Sequence, residues 1–369
     1  MKILHVNDVA NVGYTLVKEL VKLGVDAKLL ALMKNDSAVL RSKMSNEDFI
    51  LKVRGVRRIR YFTSILRLLR RGSWDLIHVH YLRTYAYMTS FLRKSFVIHV
   101  HGSDIRFAYS SSFYEGVVHR IMKLFALKKA SRVLASTPNL VPLINSFSPA
   151  TNALYLPNPV DTKYFEPANA QKLSMSFTHL HDGVDLLITA PTAVDFSTKG
   201  SGILLKALSK IKKPPDYRLV IIKHGQDFRK LLELVVKLGL RSKVKIIDPV
   251  PNELMPGLYG ISDIVVAAIS KQEVLGMTAL ESMACGTPTL NTWSRKYYGD
   301  AGFPLLPFGT EALKNLIEHL ISDQELRANV ARAQLEWVKA NHSSEVIAKL
   351  LIQIYEDVLQ ADSANTSLA

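Results

Sequence analysis

The chain has 369 residues, 48% of them hydrophobic and 21% charged, which is a globular composition too long for one ordinary core. No apolar run approaches the ~20 residues that span a bilayer, and the first residues turn polar too early for a signal peptide. The net charge of +15 indicates anionic partners, which leaves phosphorylated ligands, an acidic membrane surface and nucleic acid open.

Strands and helices alternate along the first half of the chain. A strand at "KILHV" precedes a helix with leucines at helical spacing, which Gly24 ends. Further strands are predicted at "DAKLLAL", "WDLIHVHY", "SFVIHVHGSD" and "ASRVLAST", the last of them after a helix around residues 113–129. This alternation predicts a parallel, doubly wound α/β sheet.

The second half repeats the pattern, with strands at "VDLLITAP", "YRLVIIKHG", "KVKIIDPV", "DIVVAAI" and "TPTLNT". We therefore predict two Rossmann-like domains, over residues 1–160 and 161–344. Residues 166–183 show no clear apolar pattern, and we predict that they form a linker and surface loop. An amphipathic helix over residues 345–360 follows, and residues 361–369 are expected to be a disordered tail.

Unusual polar residues and glycines fall where predicted strands end. In open parallel sheets, ligands bind outside the carboxyl ends of the strands, and two such sheets facing each other would form a cleft. The pattern predicts a two-substrate enzyme. The residues concerned are His101, Asp104, Asn158, Lys199, Gly225 and Glu273.

The stretch "EVLGMTALESMACGTP" sets Glu273 and Glu281 around a predicted helix start, ~12 Å apart if the residues between them are helical. Free N–H groups and the helix dipole favour an anion there, phosphate above all. The layout suits a nucleotide sugar, with the sugar at the first acid and the ribose at the second. The alternative is a solvated loop acid and an ordinary helix residue. The free N–H groups would be those of Leu275, Gly276, Met277 and Thr278.

Several stretches together resemble one known family. "EVLGMTALESMACGTPTL" resembles the E-x7-E signature of retaining glycosyltransferases of the group 1 family. "YLPNPVDTKYFEP" is similar to that family's interdomain segment, "TKGSGILLKAL" to its lysine–glycine segment, and "DLIHVHY" and "VIHVHGSDI" to its amino-terminal strands. The likeness covers most of residues 1–360. It implies the GT-B fold, with two Rossmann-like domains facing an interdomain cleft and a C-terminal helix crossing back to the first domain.

The resemblance implies roles for individual residues. Lys199 would neutralise the donor diphosphate, Glu273 would bind sugar hydroxyls and stabilise positive charge, and His101 would face the donor sugar. Asp104 would orient that histidine or a ligand hydroxyl, and Asn158 would fix the hinge or contact a ligand. The expected donor side is completed by Gly13 in the first loop, Gly225, Glu281 and the helix start at Gly276, Met277 and Thr278.

Two features depart from the family pattern. The stretch "TAPTAVDFSTKG" lacks the arginine expected beside the diphosphate, where Thr192 or Ser197 could substitute through their hydroxyls, and the first loop keeps one glycine of a usual pair. These departures support the alternative of a catalytically weak GT-B protein that acts as a binding or partner subunit. A Rossmann oxidoreductase is disfavoured because no G-x-G-x-x-G follows either first strand.

The implied reaction is hexosyl transfer with retention from a nucleoside-diphosphate sugar to an acceptor of unknown identity. We expect no metal and no cofactor, because the chain has no D-x-D and no His/Cys cluster with zinc spacing. His78, His80 and His99 are expected to be structural. The single cysteine, Cys285, has apolar neighbours, which favours a core residue in a cytosolic protein.

Residues 53–74 carry seven arginines and no acid, with apolar residues at helical spacing. One interpretation is a helix lying on an anionic membrane, and the other is a surface helix packing on the first sheet. No nucleic-acid module is present, so nucleic acid is not an expected partner. The expected location is the cytoplasm, with the cytoplasmic membrane face as the alternative.

Overall fold

The computed structural model describes residues 1–31, 47–52, 58–106, 113–212, 214–304 and 306–367. The chain divides into two compact units. Unit 1 comprises Met1–Pro159 with Ser344–Ala369, and unit 2 comprises Val160–Ser343, so the division lies one residue from the predicted boundary. Within the described ranges, no helix is long and apolar enough to cross a membrane.

Unit 1 is a seven-stranded parallel sheet in the order β3-β2-β1-β4-β5-β6-β7. Its central strands are almost wholly buried, because helices cover both faces of such a sheet. The elements up to residue 159 are β1 (Lys2–Val6), α1 (Val12–Lys22), β2 (Asp26–Ala31), β3 (Ile50–Lys52), α2 (Arg58–Arg71), β4 (Leu76–His80), α3 (Thr84–Ser90), β5 (Phe96–Val100), α4 (Ser103–Arg106), α5 (Phe113–Lys129), β6 (Arg132–Ala135), α6 (Leu140–Phe147) and β7 (Leu154–Tyr155).

Unit 2 is a five-stranded parallel sheet in the order β10-β9-β8-β11-β12. Both units thus have the predicted α/β class. The elements of unit 2 are α7 (Pro167–Ser174), β8 (Leu186–Ala190), α8 (Ser201–Leu208), β9 (Tyr217–Ile222), α9 (Phe228–Lys237), β10 (Val244–Ile247), α10 (Met255–Ile261), β11 (Ile264–Val266), α11 (Met277–Ala284), β12 (Thr289–Leu290), α12 (Arg295–Tyr298), α13 (Thr310–Ser322) and α14 (Gln324–His342), and the last helix of the chain is α15 (Ser344–Ser367).

The prediction of a linker and surface loop at residues 166–183 was wrong. This stretch forms α7 and a 3-10 helix at Met175–Leu180, with Phe177 and Leu180 buried. Helix α7 packs against α10, where Gly257 lets the two backbones approach closely. The weak apolar pattern of the stretch concealed a helix whose partner lies far along the chain.

The prediction of a disordered tail at residues 361–369 was wrong for residues 361–367. Helix α15 continues to Ser367, because no glycine or proline interrupts it. Asp362 accepts a hydrogen bond from the Ser131 hydroxyl at 3.1 Å, which holds this end of the helix on unit 1. Residues 368–369 lie outside the described residues.

Part of the basic stretch at residues 53–74 forms helix α2. Ile65 and Leu69 are fully buried in the core of unit 1, as expected of a helix that packs on its sheet. Phe62 and Leu66 are 37% and 40% exposed, so the helix also presents apolar side chains to solvent. Residues 53–57 and the side chains of residues 58–61 lie outside the description.

The contact between α7 and α10 predicts a large effect of one added methyl group. A Cβ on Gly257 would lie 2.4 Å from the backbone oxygen of Leu173, so one helix must move. We expect Gly257→Ala to lower the free energy of unfolding by about 1–3 kcal/mol. Urea unfolding would measure this, with the exposed Ser176→Ala as control. An unchanged midpoint for Gly257→Ala would contradict the close packing.

Candidate donor site and histidine cluster

The loop after β8 places Lys199 at the carboxyl ends of β8 and β11. Gly200 begins α8 with φ of 69°, and a Cβ there would lie 2.3 Å from the backbone oxygen of Ile269. The Ile269 N–H donates to the Lys199 carbonyl at 3.0 Å. Glycine is therefore required for this close approach, which holds the half-buried lysine at the sheet edge.

Gly225 supports the same loop from the end of β9. Its φ is 119°, and a Cβ would lie 2.3 Å from the backbone N and O atoms of Val194. The Val194 N–H donates to the His224 carbonyl at 2.7 Å. The structure thus gives Gly225 a demonstrable role in packing the Lys199 loop.

The two hydroxyls expected to replace the missing arginine are already engaged. Thr192 donates to the Ala267 carbonyl at 3.0 Å, and Ser197 donates to the Asp195 carboxylate at 2.8 Å. A hydroxyl has a single proton to donate, so neither can also donate one to a phosphate in this arrangement. The expectation that they substitute for the arginine is therefore not supported.

Helix α11 begins with uncapped backbone donors. Gly276 precedes the helix without a side-chain cap, and the N–H groups of Gly276, Met277 and Thr278 have no acceptor among the described residues. The prediction of four free donors was wrong for Leu275, whose N–H donates to the Tyr298 hydroxyl at 3.0 Å. Three adjacent donors without acceptors at a helix start are an arrangement that can hold an anion.

Glu273 lies immediately before this helix start in an unusual backbone conformation. Its φ is 51°, the left-handed region that non-glycine residues rarely adopt. Its N–H donates to the Ser270 carbonyl at 3.2 Å, and its half-buried side chain forms no hydrogen bond within the part of the chain that the structure describes. The strained backbone therefore presents a carboxylate that has no hydrogen-bond partner among the described residues.

Glu281 is far more buried than the sequence suggests. It is 7% exposed, and the buried Tyr259 donates its hydroxyl proton to Oε2 at 3.1 Å. Burial raises the pKa of this carboxyl to about 7. Oε1 has no partner among the described residues and is not an enclosed atom, so it is the oxygen left for a ligand.

Unit 1 gathers five histidines on one side of its sheet. A chain of polar contacts links His78 Nδ1 to the Tyr355 hydroxyl at 2.5 Å and that hydroxyl to His5 Nε2 at 3.0 Å. It continues from His5 Nδ1 to His80 Nε2 at 3.0 Å and from His80 Nδ1 to His101 Nε2 at 3.3 Å. The fifth histidine is His99, whose ring centroid lies 4.5 Å from that of His101.

Burial keeps these imidazoles neutral. His5, His78, His80 and His99 are fully buried, and burial lowers the pKa of His5 to about 3 and of the other three well below the usual range. The pKa of the partly exposed His101 is also lowered by burial. Each ring at neutral pH therefore offers one proton and one lone pair.

Asp104 organises the turn that presents His101. The buried carboxylate accepts hydrogen bonds from the N–H groups of His101, Gly102 and Leu82 at 2.8–3.2 Å. It thereby fixes the backbone of His101 and is itself fully enclosed. The expectation that Asp104 contacts a ligand hydroxyl is wrong for this reason.

Gly13 lies in the first turn of α1, so its predicted placement in a loop was wrong. Its N–H donates to Asp8 Oδ1 at 2.9 Å, and a Cβ would lie 3.0 Å from the Asn7 carbonyl oxygen. Its donor is therefore engaged within the protein. Asn158 is buried and lies next to Pro159, the last residue before unit 2.

Comparison with known families covers both units. The family model described as glycosyl transferases group 1 matches residues 192–337, and the model described as glycosyltransferase family 4 matches residues 9–164. The chain belongs to the group 1 glycosyltransferases. The matched part of unit 2 includes Lys199, Glu273 and Glu281.

Relatives and solved structures agree with this family. The glycosyltransferase is 25% identical over 310 residues to N-acetyl-alpha-D-glucosaminyl L-malate synthase of Bacillus anthracis, covering 79% of this chain and 77% of that protein. Sucrose-phosphate synthase from Thermosynechococcus elongatus superposes with a TM-score of 0.75 at 18% identity, covering 98% and 100% of the two chains. Anabaena HepE in complex with UDP-glucose gives 0.73 at 17% identity, covering 97% and 100%. The fold is GT-B.

The sequence of this glycosyltransferase did not point to several residues that shape the two sites. Tyr259 and Tyr298 reach Glu281 and Leu275 from other helices, and Tyr355 reaches the histidines from α15. The histidine cluster itself was missed because its members come from three strands. The recurrence of histidine at alternate positions of neighbouring strands is the signal that could have found it.

The raised pKa of Glu281 predicts a pH dependence of stability. Unfolding frees this carboxyl to ionise from an ordinary pKa of 4.5, whereas the folded protein keeps it protonated to about pH 7. Its contribution to stability is therefore full below pH 4.5 and is lost as the pH rises to about 7. Glu281→Gln cannot titrate, so its stability relative to wild type should rise by about 1–3 kcal/mol between pH 5 and pH 8.

Urea unfolding of both proteins at the two pH values measures this difference. The exposed Glu336→Gln is the matched control, and its stability should follow that of wild type at each pH. A constant difference between wild type and Glu281→Gln across the range would show that Glu281 has an ordinary pKa.

Proposed function

We propose that this protein is a retaining hexosyltransferase, which moves a sugar from a nucleoside diphosphate to an acceptor hydroxyl. One observation carries the proposal. Three uncapped N–H groups lie between Glu273, whose carboxylate has no partner among the described residues, and Glu281, which leaves one oxygen accessible. The order of carboxylate, anion position and carboxyl group matches the sugar, diphosphate and ribose of one ligand.

The proposed chemistry follows from where charge develops. Breaking the bond to the diphosphate leaves positive charge on the sugar, which the Glu273 carboxylate stabilises while it binds sugar hydroxyls. Negative charge grows on the departing phosphate, where the Lys199 ammonium and the N–H groups of residues 276–278 stabilise it. The acceptor oxygen then bonds to the anomeric carbon of the sugar, on the face that the phosphate leaves, and passes its proton to that phosphate. His101 is the unit 1 candidate for a hydrogen bond to substrate.

The proposed donor needs no divalent ion at its diphosphate, because a lysine and backbone donors supply the charge stabilisation. UDP-glucose is the first donor to test, since HepE is similar in fold and is solved with that ligand. L-Malate is the first acceptor to test, because it is named in the Bacillus anthracis relative.

The test is release of nucleoside diphosphate from UDP-, GDP- and ADP-sugars, with and without L-malate and lipid acceptors. We expect turnover of one donor, with Glu273→Gln and Lys199→Ala each lowering kcat/KM about 10²-fold or more. Adding Mg²⁺ or Mn²⁺ to dialysed enzyme should not raise the rate. Product NMR should find the donor's anomeric configuration retained.

Matched controls are Glu336→Gln and Lys206→Ala, which alter exposed residues of the same types in unit 2. Both should keep wild-type rates. A folded wild-type protein that binds a donor but transfers to none of the acceptors would favour the binding-subunit alternative. Turnover that survives Glu273→Gln, or products with inverted configuration, would overturn the mechanism.

We also propose that α2 contacts an anionic membrane surface. Phe62 and Leu66 expose apolar area on this helix, and Arg67, Arg70 and Arg71 are exposed beside them. An exposed apolar ridge bordered by arginines suits the boundary between lipid headgroups and acyl chains. This surface would bring the enzyme to a lipid-linked acceptor.

Sedimentation with vesicles tests the membrane contact. We expect binding to vesicles that contain phosphatidylglycerol, little binding to pure phosphatidylcholine, and loss of binding in high salt. Leu66→Asp combined with Arg67→Glu should abolish sedimentation, whereas Lys206→Ala in unit 2 should not change it. Equal sedimentation with neutral vesicles, or none with anionic vesicles, would rule the contact out.

A further inference from the structure

Two groups of three histidines in unit 1 have the spacing of metal ligands. In each group, one ring nitrogen per residue lies within 4.8 Å of the others. The inner group is His5, His78 and His80, and the outer group is His80, His99 and His101. The inner group has no part in the proposed donor chemistry, and of the outer group only His101 was named there, as a candidate hydrogen-bond partner of the substrate. The inference below is argued from the histidine geometry alone and does not rest on that function.

Within the described residues, every ring nitrogen of the inner group except His78 Nε2 already has a polar partner. His78 Nδ1 and His5 Nε2 both contact the Tyr355 hydroxyl, and His5 Nδ1 contacts His80. A metal bound there would have to displace this tyrosine. The inner histidines are therefore better suited to hold the outer group in place.

In the outer group, His99 lacks hydrogen-bond partners among the described residues. His99 is fully buried, and neither of its ring nitrogens has a hydrogen-bond partner among the described residues. A buried imidazole without a partner loses the hydrogen bonds that it makes in water, which costs stability. A ligand on one ring nitrogen would offset that cost. The rings that contact His99 in the described part of the chain are those of His78, His80 and His101.

The spacing of the outer group also suits a metal. His80 Nδ1 and His101 Nε2 lie 3.3 Å apart, which is long for a hydrogen bond. Two imidazole nitrogens on one tetrahedral Zn²⁺ lie about 3.3 Å apart, given bonds of about 2.0–2.1 Å. The observed separation therefore matches two ligands of one metal ion.

The inner histidines would fix the tautomer that a metal needs. If His80 donates its Nε2 proton to His5 Nδ1, its Nδ1 keeps the lone pair that faces His101. His5 then donates from Nε2 to Tyr355, which donates to His78. A ligating histidine whose other nitrogen donates to a protein group is the usual arrangement at metal sites.

We propose that His80, His99 and His101 bind one late first-row transition-metal ion, Zn²⁺ being the expected occupant. Three neutral imidazoles with no carboxylate or thiolate favour Zn²⁺, Cu²⁺, Ni²⁺ or Co²⁺ over Mg²⁺ or Ca²⁺. Because His101 is partly exposed, the fourth position faces solvent and is open to water or substrate. Metal binding takes Nε2 of His101, which leaves only its Nδ1 for substrate.

The experiment uses the full chain without a histidine tag, stripped of metal by dialysis against EDTA. Co²⁺ is titrated in while its ligand-field absorption is recorded, and bound Co²⁺ and Zn²⁺ are counted by mass spectrometry. We expect one Co²⁺ per chain in a four- or five-coordinate site, displaced by Zn²⁺. His99→Gln should lower the affinity about tenfold or more, because it removes a ligand.

Three further variants make the assignment falsifiable. His101→Gln removes the partly exposed ligand and should also weaken metal binding. This variant tests the proposal if His99→Gln does not fold. His78→Gln should still bind the metal ion. If His78→Gln fails to bind it while His99→Gln still binds it, the ion lies in the inner group and the proposal is wrong. His179→Gln, an exposed histidine of unit 2, should bind as wild type does. No specific Co²⁺ or Zn²⁺ uptake by wild type would overturn the proposal.

Discussion

Parallel strand pairing is the constraint on which both sites depend. Every strand of the two sheets pairs in parallel, so within each unit the carboxyl ends of the strands lie at one edge. In unit 1 this alignment brings histidines from β1, β4 and the end of β5 together. In unit 2 it brings the Lys199 loop against the residues that follow β11. The chemistry of each unit is a consequence of sheet topology.

Within unit 2, the described protein groups satisfy the Leu275 N–H beside the candidate site but not the backbone donors that follow it. Tyr298 takes the Leu275 N–H, whereas the next three donors are left for something else. Glu273 keeps a strained backbone and a carboxylate without a partner among the described residues. Unused donors and strain cost stability, so their concentration in one place favours function over packing as their reason.

Unit 1 presents the same contrast inside a hydrophobic core. Tyr355 contacts one ring nitrogen of His5 and one of His78, and the C-terminal helix that carries it is thereby tied to the central strands. His99 is left without partners in the same cluster. Burial lowers the pKa of these rings, so the cluster adds no positive charge to the core at neutral pH. The cluster is thus compatible with a folded core, and it leaves ring lone pairs available to a ligand.

The sequence by itself determined the alternation of strands and helices, the two-domain class and the stretch from Glu273 to Glu281, because these depend on local spacing and on short motifs. Tertiary structure alone decided that residues 167–180 are helical, that Gly13 lies in a helix and that Asp104 is enclosed. It also decided how the five histidines and Tyr355 meet. Their contacts join residues as far apart as His5 and Tyr355, and no local pattern encodes such a pairing.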